Sequence, residues 1–226
     1  YYNEPAMSVV LERAPATLTL ACAALLISVV LGIPAGIVAA VKRNSVSDAV
    51  IRVLALLGQC MPAFWLGIML IMLFAVKLGW MPTGGAEDGL RSLILPAFTL
   101  GVFSAATICR LLRSNLIEVL GKEYIDVAKA KGLPKSKIIG KHALKNAMSS
   151  IITILGMQFA SLLGGSVITE QVFAWPGVGR LVIQSITTSD FAVVECIVFL
   201  MAVIFVVINF IVDVLYCVIN PRVRLQ

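Results

Sequence analysis

EYIDVAKAKGLPKSKIIGKHALKN, residues 123–146, is the only long polar stretch in a chain otherwise made of apolar runs. It holds Lys129, Lys131, Lys135, Lys137, Lys141 and Lys145 together with the lone His142, a load that cannot sit in lipid. The pattern predicts a short helix from Tyr124 to Lys131. Gly132 then stops it, because glycine takes the left-handed conformation that ends helices without a Cβ penalty. Pro134 follows at a first helical position, where its missing N–H costs nothing, and opens a second helix toward Lys145. The reading is helix, sharp turn, helix, outside the membrane.

Working outward, the rest of the chain is written for a bilayer. Hydrophobic residues make up 60% and charged residues 13%, with a mean hydropathy of +1.00. A soluble domain has about 45–50% apolar and about 25% charged residues. The net charge of +6 would suggest nucleic acid in a soluble chain, but here its placement matters more than its sum. Residues 1–13 are polar, do not begin with Met and lack the basic and apolar regions of a signal peptide, so they are expected to be an external remnant of a longer protein. Residues 14–226 then form one domain with apolar spans at about 14–41, 53–76, 92–112, 147–169 and 191–219. Gly32 and Gly36 have the spacing that lets membrane helices pack backbone to backbone, and Pro34 is expected to kink or end the first span. Met61-Pro62 should kink the second, with Gln59 bonding carbonyls that the proline frees. Gly164-Gly165 should loosen the fourth.

Orientation follows from the cations. Lys42, Arg43, Arg52, Arg110, Arg113, Lys122, the lysines of residues 123–146, Arg222 and Arg224 fall on one side; only Arg13, Lys77, Arg91 and Arg180 fall on the other. The positive-inside rule makes the segment 122–146 and the C-terminus cytoplasmic and places Tyr1 outside. Between the last two spans, residues 170–190 read as a segment that dips back at the external interface, with Leu181, Val182 and Ile186 on one face. On its own, Trp175 reads as an aromatic anchor. In the last span, Asn209 and Asp213 lie one turn apart. A carboxylate there should face protein or water, with Arg110 or Arg113 as its partner.

The spacing Asp126-Val127-Ala128-x-x-x-Gly132, followed by His142-Ala143-Leu144, resembles the cytoplasmic EAA loop of bacterial ABC importer permeases. Asp126 stands for the usual Glu, Val127 for the first Ala, and Lys145 where many permeases have Pro. Lys131-Gly132-Leu133 and the run from His142 to Ala147 are similar to the dipeptide, oligopeptide and nickel branch. So is Phe173-x-Trp175-Pro176-Gly177-x-Gly179-Arg180, although Ser189-Asp190-Phe191-Ala192 departs from the Arg-Asp-aromatic-Pro that follows it in the family. Asn209-x-x-x-Asp213-x-x-Tyr216 and Pro221-Arg222 resemble the family's tail, with Asn220 in place of Asp.

The resemblance implies an all-α polytopic protein of the type I ABC importer transmembrane fold, with five spans here of six in the family. It implies that Glu123, Tyr124, Asp126, Val127, Ala128, Lys129, Ala130, Gly132 and Leu133 meet an ATPase. It implies a second homologous permease, two ATPase subunits that carry the ATP and Mg, and a periplasmic or lipid-anchored solute-binding protein, in the bacterial inner membrane. No cofactor or metal is expected on this chain, and no nucleic acid.

Beside the resemblance stands the chemistry of the residues. Small Ala128 and Ala130 next to a turn glycine let another protein approach the backbone, as a docking knob requires. The plainer alternative is a basic segment held at anionic lipid, each Lys contributing about 1 kcal/mol; the turn and spacing favour docking. Gln59, Gln158, Ser161 and Asn209 are the polar residues expected along a pathway. Cys22, Cys60, Cys109, Cys196 and Cys217 lack metal-ligand spacing, and there is no phosphate-binding loop and no set of residues for a catalytic triad. The expected function is passage of dipeptides or oligopeptides, with a nickel or other metal chelate as the alternative cargo. An ion-gradient transporter would need intramembrane ionisable groups, and only Asp213 and Glu195 qualify. A membrane scaffold recruiting a partner through the basic segment is the third reading.

Overall fold

The structure, a computed structural model, describes residues 4–219, except for the side chains at 149, 150, 165, 213 and 215–219. The expectations for the Asp213 side chain, Tyr216 and the Asn220-Pro221-Arg222 tail lie outside the described residues.

Ten α-helices follow one another among the described residues, and no strand occurs there: α1 (Ala6–Val41), α2 (Val46–Cys60), α3 (Ala63–Leu70), α4 (Leu90–Leu120), α5 (Glu123–Ala130), α6 (Lys135–Lys137), α7 (Leu144–Gly165), α8 (Val167–Val172), α9 (Val178–Thr187) and α10 (Phe191–Ile219). Widened π-helical turns extend α3 over Ile71–Lys77 and join α6 to α7 over Ile138–Ala143. α1, α4 and α10 are each long and apolar enough to cross a membrane. Two bent pairs, Val46–Cys60 with Ala63–Lys77 and Lys135–Met148 with Ile151–Gly164, bring the number to five if each is one span.

The centre of the fold is α1 against α4. A Cβ on Gly32 would lie 2.7 Å from the Ala105 carbonyl oxygen, one on Gly36 2.9 Å from that of Cys109, and one on Gly101 2.8 Å from that of Ala24. Only glycine permits so close an approach, which is how membrane helices gain van der Waals contact without a hydrophobic driving force. Residue numbers rise together along this contact, so the two helices run parallel. Parallel neighbours need a connection that returns across the layer, and α2 with α3 supplies it.

Several boundaries differ from the sequence expectation. Pro34 neither ends nor interrupts α1, which starts at Ala6 and holds Pro15 as well. Packed protein around a membrane helix re-satisfies what a proline frees. At Met61-Pro62 the expected kink is a break of 103°. The residue before a proline is pushed to extended backbone, and Met61 sits at φ −74°, ψ 127°. α4 runs two turns past Leu112 because Leu116 and Val119 continue its buried face. Pro134 is the residue capping α6 rather than its first helical residue. The fourth run is cut behind Gly165, where Ser166 separates α7 from α8.

Overpacking a tight core costs about 1–3 kcal/mol. Gly36→Val should therefore lower the unfolding temperature and folded yield in mild detergent. Gly121→Ala, whose new methyl would have no neighbour nearer than 3.5 Å, should leave both unchanged.

Candidate functional site

At one end of the bundle α5 lies across the tail of α4. Ile125 is fully buried and Ala128 is 7% exposed, both within a cluster that includes Leu112, Leu116, Val119, Ile138 and Ala143. Their i, i+3 spacing gives α5 one apolar face to bury. Its other faces carry Glu123, Asp126, Lys129 and Ala130, with Tyr124 at 41% and Val127 at 54% exposure. Ala128 therefore packs inward, against the expectation that it faces a partner. The outward apolar stripe is Tyr124, Val127 and Ala130. Asn146 Nδ2 donates to the Tyr124 hydroxyl at 2.9 Å and to the His142 carbonyl at 3.0 Å, tying α5 to α7. Lys129 pairs with Asp126 at 2.8 Å on the surface, a contact of little energetic weight.

The stop after α5 is a Schellman motif. Gly132 N–H donates to the Lys129 carbonyl at 2.9 Å and Leu133 N–H to that of Ala128 at 3.3 Å. Gly132 has φ +74°, and half-buried Leu133 packs onto the cluster beneath. This turn fixes the angle between α5 and the basic stretch that follows.

Above that end sits an ion pair that sequence reading missed. Asp48 is fully buried at the start of α2. Arg113 of α4 grips it with two parallel bonds, Nε to Oδ1 at 2.7 Å and Nη2 to Oδ2 at 2.8 Å. Asn44 N–H adds a third donor at 3.0 Å and Arg52 lies at 3.4 Å. Bidentate pairing of this kind fixes geometry as well as charge. Arg113, expected to serve Asp213, is thus engaged by Asp48.

At the opposite end, Glu170 is fully buried. Its Oε1 accepts from Thr17 Oγ1 at 2.9 Å and from Ser166 Oγ at 2.8 Å, and its Oε2 from the Arg180 N–H at 3.0 Å. Thr17 in turn accepts the Val178 N–H at 2.8 Å. Gly177 is required here because a Cβ on it would run into the Glu170 carboxylate, while one on Gly179 would lie 2.7 Å from the Val167 Cα and 3.0 Å from Glu170 Oε2. The Arg180 guanidinium donates to the carbonyl of Ala174 at 2.7 Å, holding that residue at φ +50°. Trp175 is buried, and its indole N–H donates to the Ala16 carbonyl at 2.9 Å. It is a rivet between α1 and the loop rather than an interfacial anchor, while Pro176 beside it is half-buried. On α9 the inward face is Val178, Leu181 and Ser185; Ile186, expected on that face, is 56% exposed.

The break between α2 and α3 opens a cleft of about 400 Å³ lined by Gln59, Cys60, Thr99, Ser104, Gln158, Ser161 and apolar neighbours. Three of the four expected pathway residues therefore meet in one place. Asn209 does not join them; its Nδ2 donates to the Phe205 carbonyl of its own helix at 2.9 Å. Gln59 donates to Thr107 Oγ1 at 2.9 Å and not to carbonyls freed by Pro62. Ser104 donates to Gln158 Oε1 at 3.3 Å.

Removing the Glu170 carboxylate orphans the Thr17 hydroxyl and the Arg180 N–H and leaves Ser166 only its 3.4 Å bond to the Leu163 carbonyl; an orphaned buried donor costs about 1–3 kcal/mol. Glu170→Ala should sharply lower the unfolding temperature. Glu170→Gln, which keeps one acceptor oxygen but points an NH₂ at the Arg180 N–H, should fall between Ala and wild type.

Residues 32–225 match the family model described as binding-protein-dependent transport system inner membrane component. The di/tripeptide transport system permease protein DppB of Pseudomonas aeruginosa (strain UCBPP-PA14) is 40% identical over 239 residues, covering 94% of this chain and 71% of that protein. The glutathione transport system permease protein GsiC of Escherichia coli (strain K12) is 42% identical over 222 residues, covering 98% and 72%. Among solved structures, a chain of the MetNI methionine ABC transporter in inward-facing form superposes with a TM-score of 0.82 at 20% identity, over 96% of this chain and 99% of that one. A chain of an amino acid ABC transporter gives 0.74 at 17% identity, over 92% and 93%. The likeness to the solved structures bears on the fold alone, which is that of type I ABC importer transmembrane subunits. The chain belongs to the binding-protein-dependent transport system inner membrane components, the permease subunits of ABC transporters, and is a multi-pass inner-membrane protein.

Proposed function

We propose that this chain is one half of the translocation pathway of a bacterial ABC importer for dipeptides or oligopeptides. The observation that carries the coupling part is α5: a short helix anchored by Ile125 and Ala128, presenting Tyr124, Val127 and Ala130 outward amid charged neighbours. Such a stripe suits the surface of an ATPase subunit. The peptide cargo is supported by the names of the relatives, which transport di/tripeptides and glutathione.

In this reading the α5 end is cytoplasmic, as the crowding of Lys and Arg there favours. The segment 170–190 then lies outside, where a periplasmic or lipid-anchored binding protein delivers the solute. A second homologous permease completes the pathway, and two ATPase subunits bind ATP and Mg. Closure of the ATPases presses on α5, and the rigid seat of α5 on α4 passes that motion to the bundle.

Affinity purification of the tagged protein in mild detergent, with mass spectrometry of what stays bound, tests the assembly. A P-loop ATPase should be recovered, and should be lost when Tyr124 and Val127 are both replaced by Glu. Recovery of this chain alone across several detergents would favour an ion-driven transporter instead. Gly132→Val forces a β-branched residue into left-handed backbone, at about 1–2 kcal/mol or more. It should leave membrane insertion intact while uptake per ATP hydrolysed falls severalfold; unchanged coupling would count against the role given to this turn.

A further inference from the structure

We infer that the cleft at the α2–α3 break is a transit subsite for the uncharged amide backbone of the solute, with Gln59, Gln158 and Ser161 as contact groups and Cys60 on its wall. This deepens the peptide-permease reading and rests on it.

Gln158 falls at the middle of the apolar run 147–169, and Thr99 and Ser104 near the middle of the run 92–112. Polar side chains halfway across a bilayer face protein or a water-filled space, not lipid, and here they share one cleft. Broken helices around midplane sites are a recurring device of transporters.

Gln59 spends one N–H on Thr107, which leaves its carbonyl oxygen and second N–H. Gln158 accepts from Ser104 and keeps both of its N–H donors. The Ser161 hydroxyl has no partner among the described residues and is exposed. A side-chain amide presents one acceptor and two donors, the complement of a peptide group's N–H and C=O.

No Asp, Glu, Lys, Arg or His is among the residues lining the cleft. The charged ends of a short peptide find no counter-ion there, and a bare divalent cation finds neither carboxylate nor imidazole. Contacts made only by neutral groups hold a solute weakly, as passage requires: favourable enough to enter and weak enough to leave. At about 400 Å³ the cleft is within the range of small-molecule sites, roughly 300–1,000 Å³.

The test uses the complete transporter in proteoliposomes, this chain keeping Cys60 and carrying Ala at Cys22, Cys109, Cys196 and Cys217. A hydrophilic methanethiosulfonate reagent should modify Cys60, and millimolar trialanine should slow that reaction at least fivefold, whereas nickel chloride should not. Gln158→Leu should raise the KM for trialanine uptake about tenfold. No trialanine uptake by the unmodified assembly would overturn the peptide reading and the subsite together. Uptake with Cys60 unprotected and KM unchanged in Gln158→Leu would overturn the subsite alone. If Gln158→Leu fails to reach the membrane, protection of Cys60 decides the matter.

Discussion

Everything in this fold hangs on the approach of α1 to α4 at backbone distance. Gly32, Gly36 and Gly101 leave no room for a Cβ between the helices, so the pair has one register and one spacing. Interiors packed this closely do not deform continuously. α1 and α4 therefore behave as a single body, and the remaining elements are attached to one or the other. The long reach of α4 past the apolar run carries α5, and the early start of α1 carries the segment built around Glu170.

Each end of that body is fastened by a buried carboxylate, and the two are fastened differently. Asp48 takes a charged partner, Arg113, and so ties the start of α2 to α4 just before the seat of α5. Glu170 takes hydroxyls and a backbone N–H, and so ties α8 and α9 to α1 through Thr17. Both solve the same problem, because a buried anion is tolerated only where its lone pairs are filled. The consequence is a chain of contacts: Ile125 packs α5 into the cluster it shares with α4, and α4 meets α1 across the glycine contact, which leads to the far segment. The path is continuous in packed atoms, with no flexible loop in series.

The sequence carried whatever depends on neighbours along the chain. Apolar run length announced a helical membrane protein, Gly32 and Gly36 announced close packing, and Gly132 announced the turn after α5. What it did not carry depends on residues far apart. Thr17 and Glu170 are 153 positions apart, and Asp48 and Arg113 are 65 apart; no spacing rule links such pairs. Glu170 stood beside the Phe-x-Trp-Pro-Gly motif without a role, and only the fold shows that Gly177 leaves room for its carboxylate. Trp175 looked interfacial because an isolated indole next to Pro-Gly usually is; here the packing of α1 over it decides otherwise. Ala128 was misplaced for a smaller reason. On an eight-residue helix the inward face is set by Ile125, and Ala128, three residues on, must share it.

The contrast between straight and broken helices then explains where motion can enter. α1 and α4 are continuous and locked, while α2 and α3 part at Met61-Pro62, where the proline has no N–H to donate. A helix broken in this way can change its bend without losing a bond it never had, whereas bending α1 would pull Gly36 off Cys109 and give up contact on every turn. The cleft with Gln59, Gln158 and Ser161 lies where the broken element meets the locked one. Any rotation of α3 against α4 must widen or narrow that space, and with it the access to the polar groups on its wall.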